Sequence, residues 1–584
     1  MPTPGAMRID SRTNALRRAM LVAGATALVP LPARAQTPDS TQFRCDGKVI
    51  SAIEIQPHPP AVTERGPSAL RYALQRFVFQ SGTTRDRAIR PFLLARVGDR
   101  CSDKWLPELA RVVRAQPYLA VATVRAVSDG GDGVRLVVET VDEIPVIVGG
   151  GYTKNGLTNV KYGNSNIAGS GFYAAGQWRD GRVYRDALAM TLRQYGMFGQ
   201  PLVAEVNSQR DVLGGQFNAS VSRPFLSDLE HIAWYAGGTH ENAYRGFVRA
   251  SGPALSLPVS RDVWSLGGVA RFGWRGAGLM IGPVATYENA RPNDAGVIAS
   301  DSGLVAADTA VFAHRYTPYK TFRAGVGAGL RWLDYMRVTG FDALIGEQDV
   351  ARGFQLAATF ERGLGAFSAT DQSSLLSVDM YSGIGTPKSF VGLAVKGEEL
   401  PAGGADSWSA AALSGRLAWY VKPSDTRTFE ASAEFAGGWR ERLPLQLSLG
   451  DAASGVRGYN GAAIAGGRRA VLRLEERRVS YQTKFIQWGT ALFTDVGKTW
   501  SGDVPFGQTT VARASVGVGL LAALPPKSRR MLRADLAVPV TGGAPKGWVV
   551  RVFATDMTRF FWRDPSDLTP VRAGAPASGI FGWP

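Results

Sequence analysis

From residue 145 to residue 562 the chain alternates apolar and polar residues in one short run after another, and nowhere carries a convincing helical period. In Thr428–Phe435, Phe429, Ala431, Ala433 and Phe435 face one way while Thr428, Glu430, Ser432 and Glu434 face the other. Leu202, Ala204 and Val206 alternate with Val203, Glu205 and Asn207. Leu532, Ala534, Leu536 and Val538 alternate with Arg533, Asp535 and Ala537. A strand places successive side chains on opposite faces, so each such segment has an apolar face and a polar one. A soluble sandwich gives the same alternation, but three features favour a membrane barrel. About 418 residues without a helix is long for one sandwich domain. The polar face carries ions spaced as pairs, Arg533 with Asp535 and Arg473 with Glu475, as expected of a wet or plugged lumen. Aromatic residues crowd segment ends, as at Trp548, Phe560, Phe561 and Trp562, consistent with interfacial girdles. Every backbone polar group in hydrocarbon must pair, which demands a closed sheet. At roughly 26 residues per strand plus loop, the region makes a transmembrane antiparallel β-barrel of about 16 strands. The 69 glycines, where average usage gives about 40, suit many tightly turning strands.

The N-terminus indicates the compartment. Residues 1–35 carry Arg8, Arg12, Arg17, Arg18 and Arg34 against one acid, Asp10, and an apolar run, Ala19–Val29, leads to Ala33-Arg34-Ala35 before Gln36. Basic start, short apolar middle and small-residue cleavage site are the parts of a secretory signal. About a dozen apolar residues fall short of the roughly 20 needed to span a bilayer. Removing five arginines and one aspartate takes the net charge from +17 to about +13. That basicity fits loops or lumen lining, and no nucleic-acid partner is expected. Export permits a disulfide. Cys45 and Cys101 are the only cysteines; they are either two free thiols or a pair closing a loop of about 56 residues, worth roughly 4 kcal/mol in the chain-entropy model. Four scattered histidines, His58, His231, His240 and His314, exclude a Cys/His zinc site, and no cofactor is expected.

Residues 36–144 read differently. Val49–Ile55 alternates loosely as a strand. A helix is expected over Arg85–Arg96, where Ala88, Ile89, Phe92 and Leu93 share a face. Ser102 is placed to cap a second helix with Trp105, Leu106, Leu109, Val112 and Val113 on one side. Val121–Val127 and Val134–Val141 flank the glycine-rich turn 128–133, a hairpin signal. The order strand, helix, helix, strand, strand makes a small three-stranded sheet covered by two helices. It resembles a POTRA domain, the periplasmic module of outer-membrane assembly proteins, with Val97-Gly98-Asp99, Arg114–Tyr118 and Val138–Glu143 at matching places. A long insert, residues 57–82, separates the first strand from the first helix, and its Ser68–Phe79 part suits an extra helix.

Four short motifs follow one another behind this domain. Asn166-Ile167-Ala168-Gly169-Ser170-Gly171 looks like N-x-x-G-x-G, Val456-Arg457-Gly458-Tyr459 matches V-R-G-[FY], Phe493–Gly497 matches F-x-D-x-G, and Glu475 lies between the last two. Their order resembles the BamA/TamA superfamily of outer-membrane assembly and translocation barrels, and the resemblance covers nearly the whole mature chain. It implies that Arg457 reaches into the lumen and pairs with Asp495 and Glu475, pinning a long extracellular loop. Phe493, Asp495 and Gly497 share parity and so one strand face. A guanidinium fork suits a carboxylate better than lysine does. Where such relatives end at an aromatic residue of the last strand, this chain continues as Arg563–Pro584, rich in Pro, Ala and Gly, a tail expected to be disordered or folded back.

The resemblance implies a barrel in the Gram-negative outer membrane that inserts or translocates polypeptide clients. The POTRA-like domain would capture an extended segment by β-augmentation. The glycines of Val146–Gly151 would loosen a seam against Trp548–Trp562. Outer-membrane lipid or lipopolysaccharide and accessory periplasmic proteins are the other partners in view. The alternative is a passive pore or solute channel on the same scaffold. An enzyme is not expected, since the chain has no H-E-x-x-H, G-x-S-x-G or C-x-x-C.

Overall fold

The computed structural model describes residues 43–60, 68, 83–131, 133–153, 156–180, 186–300, 302–312, 315–401, 408–450, 454–459, 461–544, 547–555, 561, 564–574 and 581. The expected signal 1–35 and nearly all of the expected helix in the insert lie outside these residues. Strand alternation governs the larger part. In Arg468–Gln482 the odd residues from Arg469 to Arg477 point inward, while Leu472 and Leu474 point outward and are 57% and 55% exposed. Within the sheet Arg323, Glu361 and Asp495 are fully buried. This inverts the arrangement of a water-soluble protein, in which large apolar side chains are buried and charges exposed.

Among the described residues, 20 strands form one closed antiparallel barrel from Val146–Thr153 to Val549–Thr555. A short hairpin, Val297–Ser300 with Gly303–Ala306, extends its rim. The count exceeds the expected 16 because many links are only two residues long. Met197 pairs across a turn with Gln200, Asp211 with Gly214, Trp274 with Ala277 and Thr386 with Ser389. The assumed 26 residues per strand and loop was too generous for such hairpins. The barrel closes where Val550–Phe553 pairs with Gly149–Tyr152, the shortest wall ladder among the described residues. The last strand ends at Thr555. Phe561, expected in an outer girdle, is instead turned inward and 3% exposed, packed in a buried aromatic cluster.

The small N-terminal sheet consists of β1 (Val49–His58), β2 (Leu119–Ser128) and β3 (Gly133–Asp142). Its order is β1-β3-β2, with β1 parallel and β2 antiparallel to the central β3. Two helices lie between residues 83 and 114, before β2. The first is shorter than expected: α1 (Asp86–Ile89) passes into a 3₁₀ turn at Arg90–Phe92, where Pro91 supplies no amide to continue the α-helical ladder. Its apolar face is nonetheless the expected one, with Ala88, Ile89, Phe92 and Leu93 buried. The second, α2 (Leu106–Arg114), starts with Pro107 in its first turn, a position that loses no hydrogen bond. Ser102 does not cap it; its hydroxyl donates to Asp46 instead. Trp105 therefore lies before the helix and is 40% exposed. Cys45 and Cys101 are bonded, S–S 2.08 Å.

The small domain is docked on one end of the barrel, here the proximal end. Arg114 of α2 donates through Nε and Nη2 to Asp349, at 2.8 and 2.6 Å. Arg529 donates to the carbonyls of Gln116 and Leu119, each at 3.0 Å. Glu143, just after β3, accepts from Ser528 and the Arg529 amide.

Candidate functional site

The wall of the site consists of four consecutive strands, Arg468–Gln482, Gln487–Trp500, Arg513–Ala523 and Met531–Pro539. Odd-numbered residues of all four face the lumen, and from three of them Glu475, Phe493, Asp495, Arg533 and Asp535 converge there. The distal loop between Arg427–Trp439 and Arg468–Gln482 folds inward across these side chains. Its Leu447–Ser448 segment pairs with Ala465–Gly466, which brings Val456–Tyr459 to the wall.

Arg457 is the centre of the arrangement. Its Nε and Nη2 donate to the two oxygens of Asp495 at 2.8 and 2.7 Å, and its backbone amide donates to the same carboxylate at 3.1 Å. Nη1 donates to Glu475 at 3.0 Å and reaches Asp535 at 3.4 Å. The guanidinium carbon stands 3.5 Å from the centre of the Phe493 ring, a cation–π contact. Glu475 is also held by Arg533, at 2.7 and 2.8 Å, and by Arg477 at 2.8 Å. Three carboxylates and three guanidiniums thus form one network. Attraction here is offset by desolvation of every member, so what matters is completeness: removing one partner of a buried pair costs about 3–5 kcal/mol.

The remaining motif residues shape the contact. Tyr459 is fully buried and donates to the Thr541 carbonyl at 2.6 Å. Gly458 has φ +90°, and a Cβ there would stand 3.2 Å from the Pro539 ring. Gly497 has a different reason: a Cβ would lie 2.4 Å from Cγ2 of Val456, so glycine leaves the space that buried Val456 fills. All eight lumenal positions singled out from sequence therefore meet in one place. Arg533 and Asp535 were recognised only as a polar-face pair, although their spacing, two apart on the lumenal face, carried the signal.

The N-x-x-G-x-G segment is a docking loop for the small domain. Asn166 donates to the Thr84 hydroxyl at 2.8 Å and accepts from the Gly171 amide at 2.8 Å. The Arg85 amide donates to the Gly169 carbonyl at 2.8 Å. Gly169 has φ +65° and a Cβ there would lie 2.4 Å from the Thr83 carbonyl, so only glycine permits this approach. Thr84 in turn donates twice to Asp142 at the end of β3, at 2.8 and 2.7 Å. Burial pushes the Asp142 carboxyl up to about 6, the Thr84 bonds opposing it and nearby Glu143 adding to it. Burial likewise raises Glu143, against Arg530, Ser528 and Arg529.

Among the described residues no group of His, Cys, Asp or Glu side chains is placed to hold a metal ion. No family model and no curated protein matches this chain. Solved structures similar to it include BamA from Haemophilus ducreyi lacking POTRA domains 1–3, at 12% identity over 86% of this chain and 84% of that one, with a TM-score of 0.40. CdiB from Escherichia coli is 13% identical over 92% and 96%, with a TM-score of 0.42. CdiB from Acinetobacter baumannii is 11% identical over 93% and 96%, with a TM-score of 0.38. A likeness of this degree carries no chemistry; that resides in the side chains of the lumen.

Proposed function

We propose that this chain is an outer-membrane barrel that inserts or translocates polypeptides, with the small POTRA-like domain capturing clients and the inward loop pinned by Arg457. The observation that carries the reading is the Arg457 fork on Asp495, made by a V-R-G-Y loop folded inside a closed barrel of inverted polarity. Apolar side chains outside and charges inside are the arrangement that lipid requires of a barrel. No covalent chemistry is involved: β1 and β2 are the outer strands of the small sheet, and such strands take up extended peptides by β-augmentation. The short ladder between Gly149–Tyr152 and Val550–Phe553 is the weakest place in the wall, where a client strand would be templated. An arrangement that fills the lumen with its own loop fits an open solute channel poorly.

The test is depletion of the protein in its native cell followed by outer-membrane proteomics, complemented by wild type or by a chain with a disulfide across the seam. A subset of outer-membrane or secreted proteins should fall and be restored by wild type. An unchanged membrane proteome, together with large steady conductance of the purified protein, would favour the passive pore and overturn the proposal. Full rescue by the crosslinked chain would retain transport and rule out lateral opening.

A further inference from the structure

The chain does not end where its wall ends. Beyond Thr555 the described residues lie inside the barrel. Phe561 packs among Phe341, Tyr381, Phe390 and Tyr420. Residues 564–574 run further along the lumen and Phe581 sits against Phe225, Val269 and Met280. These contacts are specific in charge, in backbone hydrogen bonding and in shape.

Arg469 is 2% exposed and bonds the Asp567 carboxylate through both of its terminal nitrogens. It is a buried wall cation whose bonded carboxylate comes from the tail. Arg261 donates to the carbonyls of Pro570 and Arg572, the latter at 2.8 Å, and Arg245 to that of Pro570 at 3.2 Å. Glu398 accepts from the Ala573 amide at 2.9 Å. Ser414 bonds Asp564, which Arg572 also holds at 2.9 Å. The wall thus addresses carbonyls, amides and two side-chain carboxylates of an irregular segment, satisfying groups that an unpaired backbone in a buried lumen would leave at high cost.

The wall is also recessed for the tail's aromatic rings. A Cβ on Gly392 would lie 2.5 Å from the Phe561 ring, and one on Gly329 2.9 Å from the Phe581 ring. Leu568 and Val571 fill an apolar patch with Tyr319 and Leu447. Charge, amide and ring contacts lie along one path, so the lumen is a site built for a peptide.

We propose that the barrel lumen is a binding site for a turned, proline-containing polypeptide segment bearing an acidic side chain, and that Phe561, residues 564–574 and Phe581 occupy it as a tethered plug. Arg469 reads the acidic side chain, Arg245 and Arg261 read carbonyls, and Glu398 reads amides. On the function proposed above, a client segment of this chemistry displaces the tail; that clause rests on that reading, whereas occupancy of the site does not.

The test uses the full-length protein in planar bilayers. Asp567→Arg sets like charges together at Arg469 and should raise open probability about tenfold over wild type. A synthetic peptide of sequence 564–574 should close the opened channel again, and the same peptide with asparagine for Asp567 should need at least about tenfold more. As a second variant, Ser414→Cys with Asp564→Cys should lose the residual openings of wild type when oxidised and regain them when reduced. An Asp567→Arg channel that behaves as wild type, one indifferent to the peptide, or openings unchanged by the crosslink would each overturn the plug. These readouts need no client. A plug that opens and closes in a protein whose depletion leaves the membrane proteome unchanged would sink the transport reading alone.

Discussion

The distal loop and the tail both enter this lumen, and they are held by opposite ends of the same interaction. The distal loop brings an arginine, Arg457, to carboxylates of the wall. The tail brings a carboxylate, Asp567, to an arginine of the wall, Arg469. The loop is met by a full network, in which Glu475 is shared by Arg457, Arg477 and Arg533. The tail is met at several stations along its length, from Arg469 at Asp567 to Glu398 at the Ala573 amide. A network resists the loss of any member, because each charge left behind is buried. Separate stations can be released in sequence. The difference suits a permanent loop and an exchangeable tail.

The largest effect should come from breaking the loop side. Asp495→Ala removes both acceptors of the Arg457 fork and leaves a buried cation beside Glu475 and Asp535. The cost should be about 3–5 kcal/mol, read as a lower temperature at which the barrel loses its compact gel migration and as new cleavage sites between residues 440 and 467. An unchanged transition would mean that the loop is positioned by Val456 and Tyr459 alone. The corresponding tail change, Asp567→Ala, leaves Arg469 still donating to the Ser448 carbonyl and the distal loop still pinned, and should alter that temperature less.

A buried carboxylate without a cation sharpens the same contrast. Asp142 is bonded by Thr84 only through neutral groups, and its carboxyl is pushed up to about 6 by burial from an ordinary value of about 4. Between those values the folded protein holds a proton that the unfolded chain has lost. Stability of the docked small domain is therefore greatest below about pH 4, falls as pH rises towards 6, and is level above it. The full span is about 3 kcal/mol at most. Protease release of the small domain across pH 4 to 7 should show this slope, and Asp142→Asn should flatten most of it, leaving the part due to Glu143. A slope of opposite sign would mean that Asp142 is ionised and paired in the folded state.

The two lumenal segments also differ in how far they could be read from sequence. Parity placed Glu475, Phe493, Asp495 and Gly497 on the lumenal face, and the V-R-G-Y resemblance named their partner. Alternation is local, so it survives without knowledge of the fold. The tail has no such period. Asp564, Asp567 and Arg572 acquire meaning only from wall residues about a hundred or more positions away in sequence, such as Arg469, Ser414 and Lys396. The recesses at Gly392 and Gly329 looked like ordinary strand glycines. Strand number is hard to read for a related reason: two-residue turns such as Val212-Leu213 and Pro387-Lys388 carry no Asn-Gly or Gly-rich signal, so nothing local shows that a strand and its link take fewer than about 26 residues. The first helix is shorter than its apolar pattern suggests, because Pro91 falls inside that pattern.

The smallest effect separates shape from charge at the two anchors. Arg457→Lys keeps the positive charge and can still reach one oxygen of Asp495, but an ammonium cannot reproduce the planar fork, the bond to Glu475 and the stack on Phe493 together. Losing one charge-assisted hydrogen bond should cost about 1.5–3 kcal/mol, seen as slow cleavage of the loop with the barrel still folded. Asp567→Glu keeps a carboxylate for Arg469 on a segment whose other stations are unaffected, and should leave tail protection within about twofold of wild type. The expected order is therefore loop more sensitive than tail to a conservative exchange. Equal tolerance would mean that Arg457 acts as a point charge, and the network would lose its claim to hold the loop by geometry.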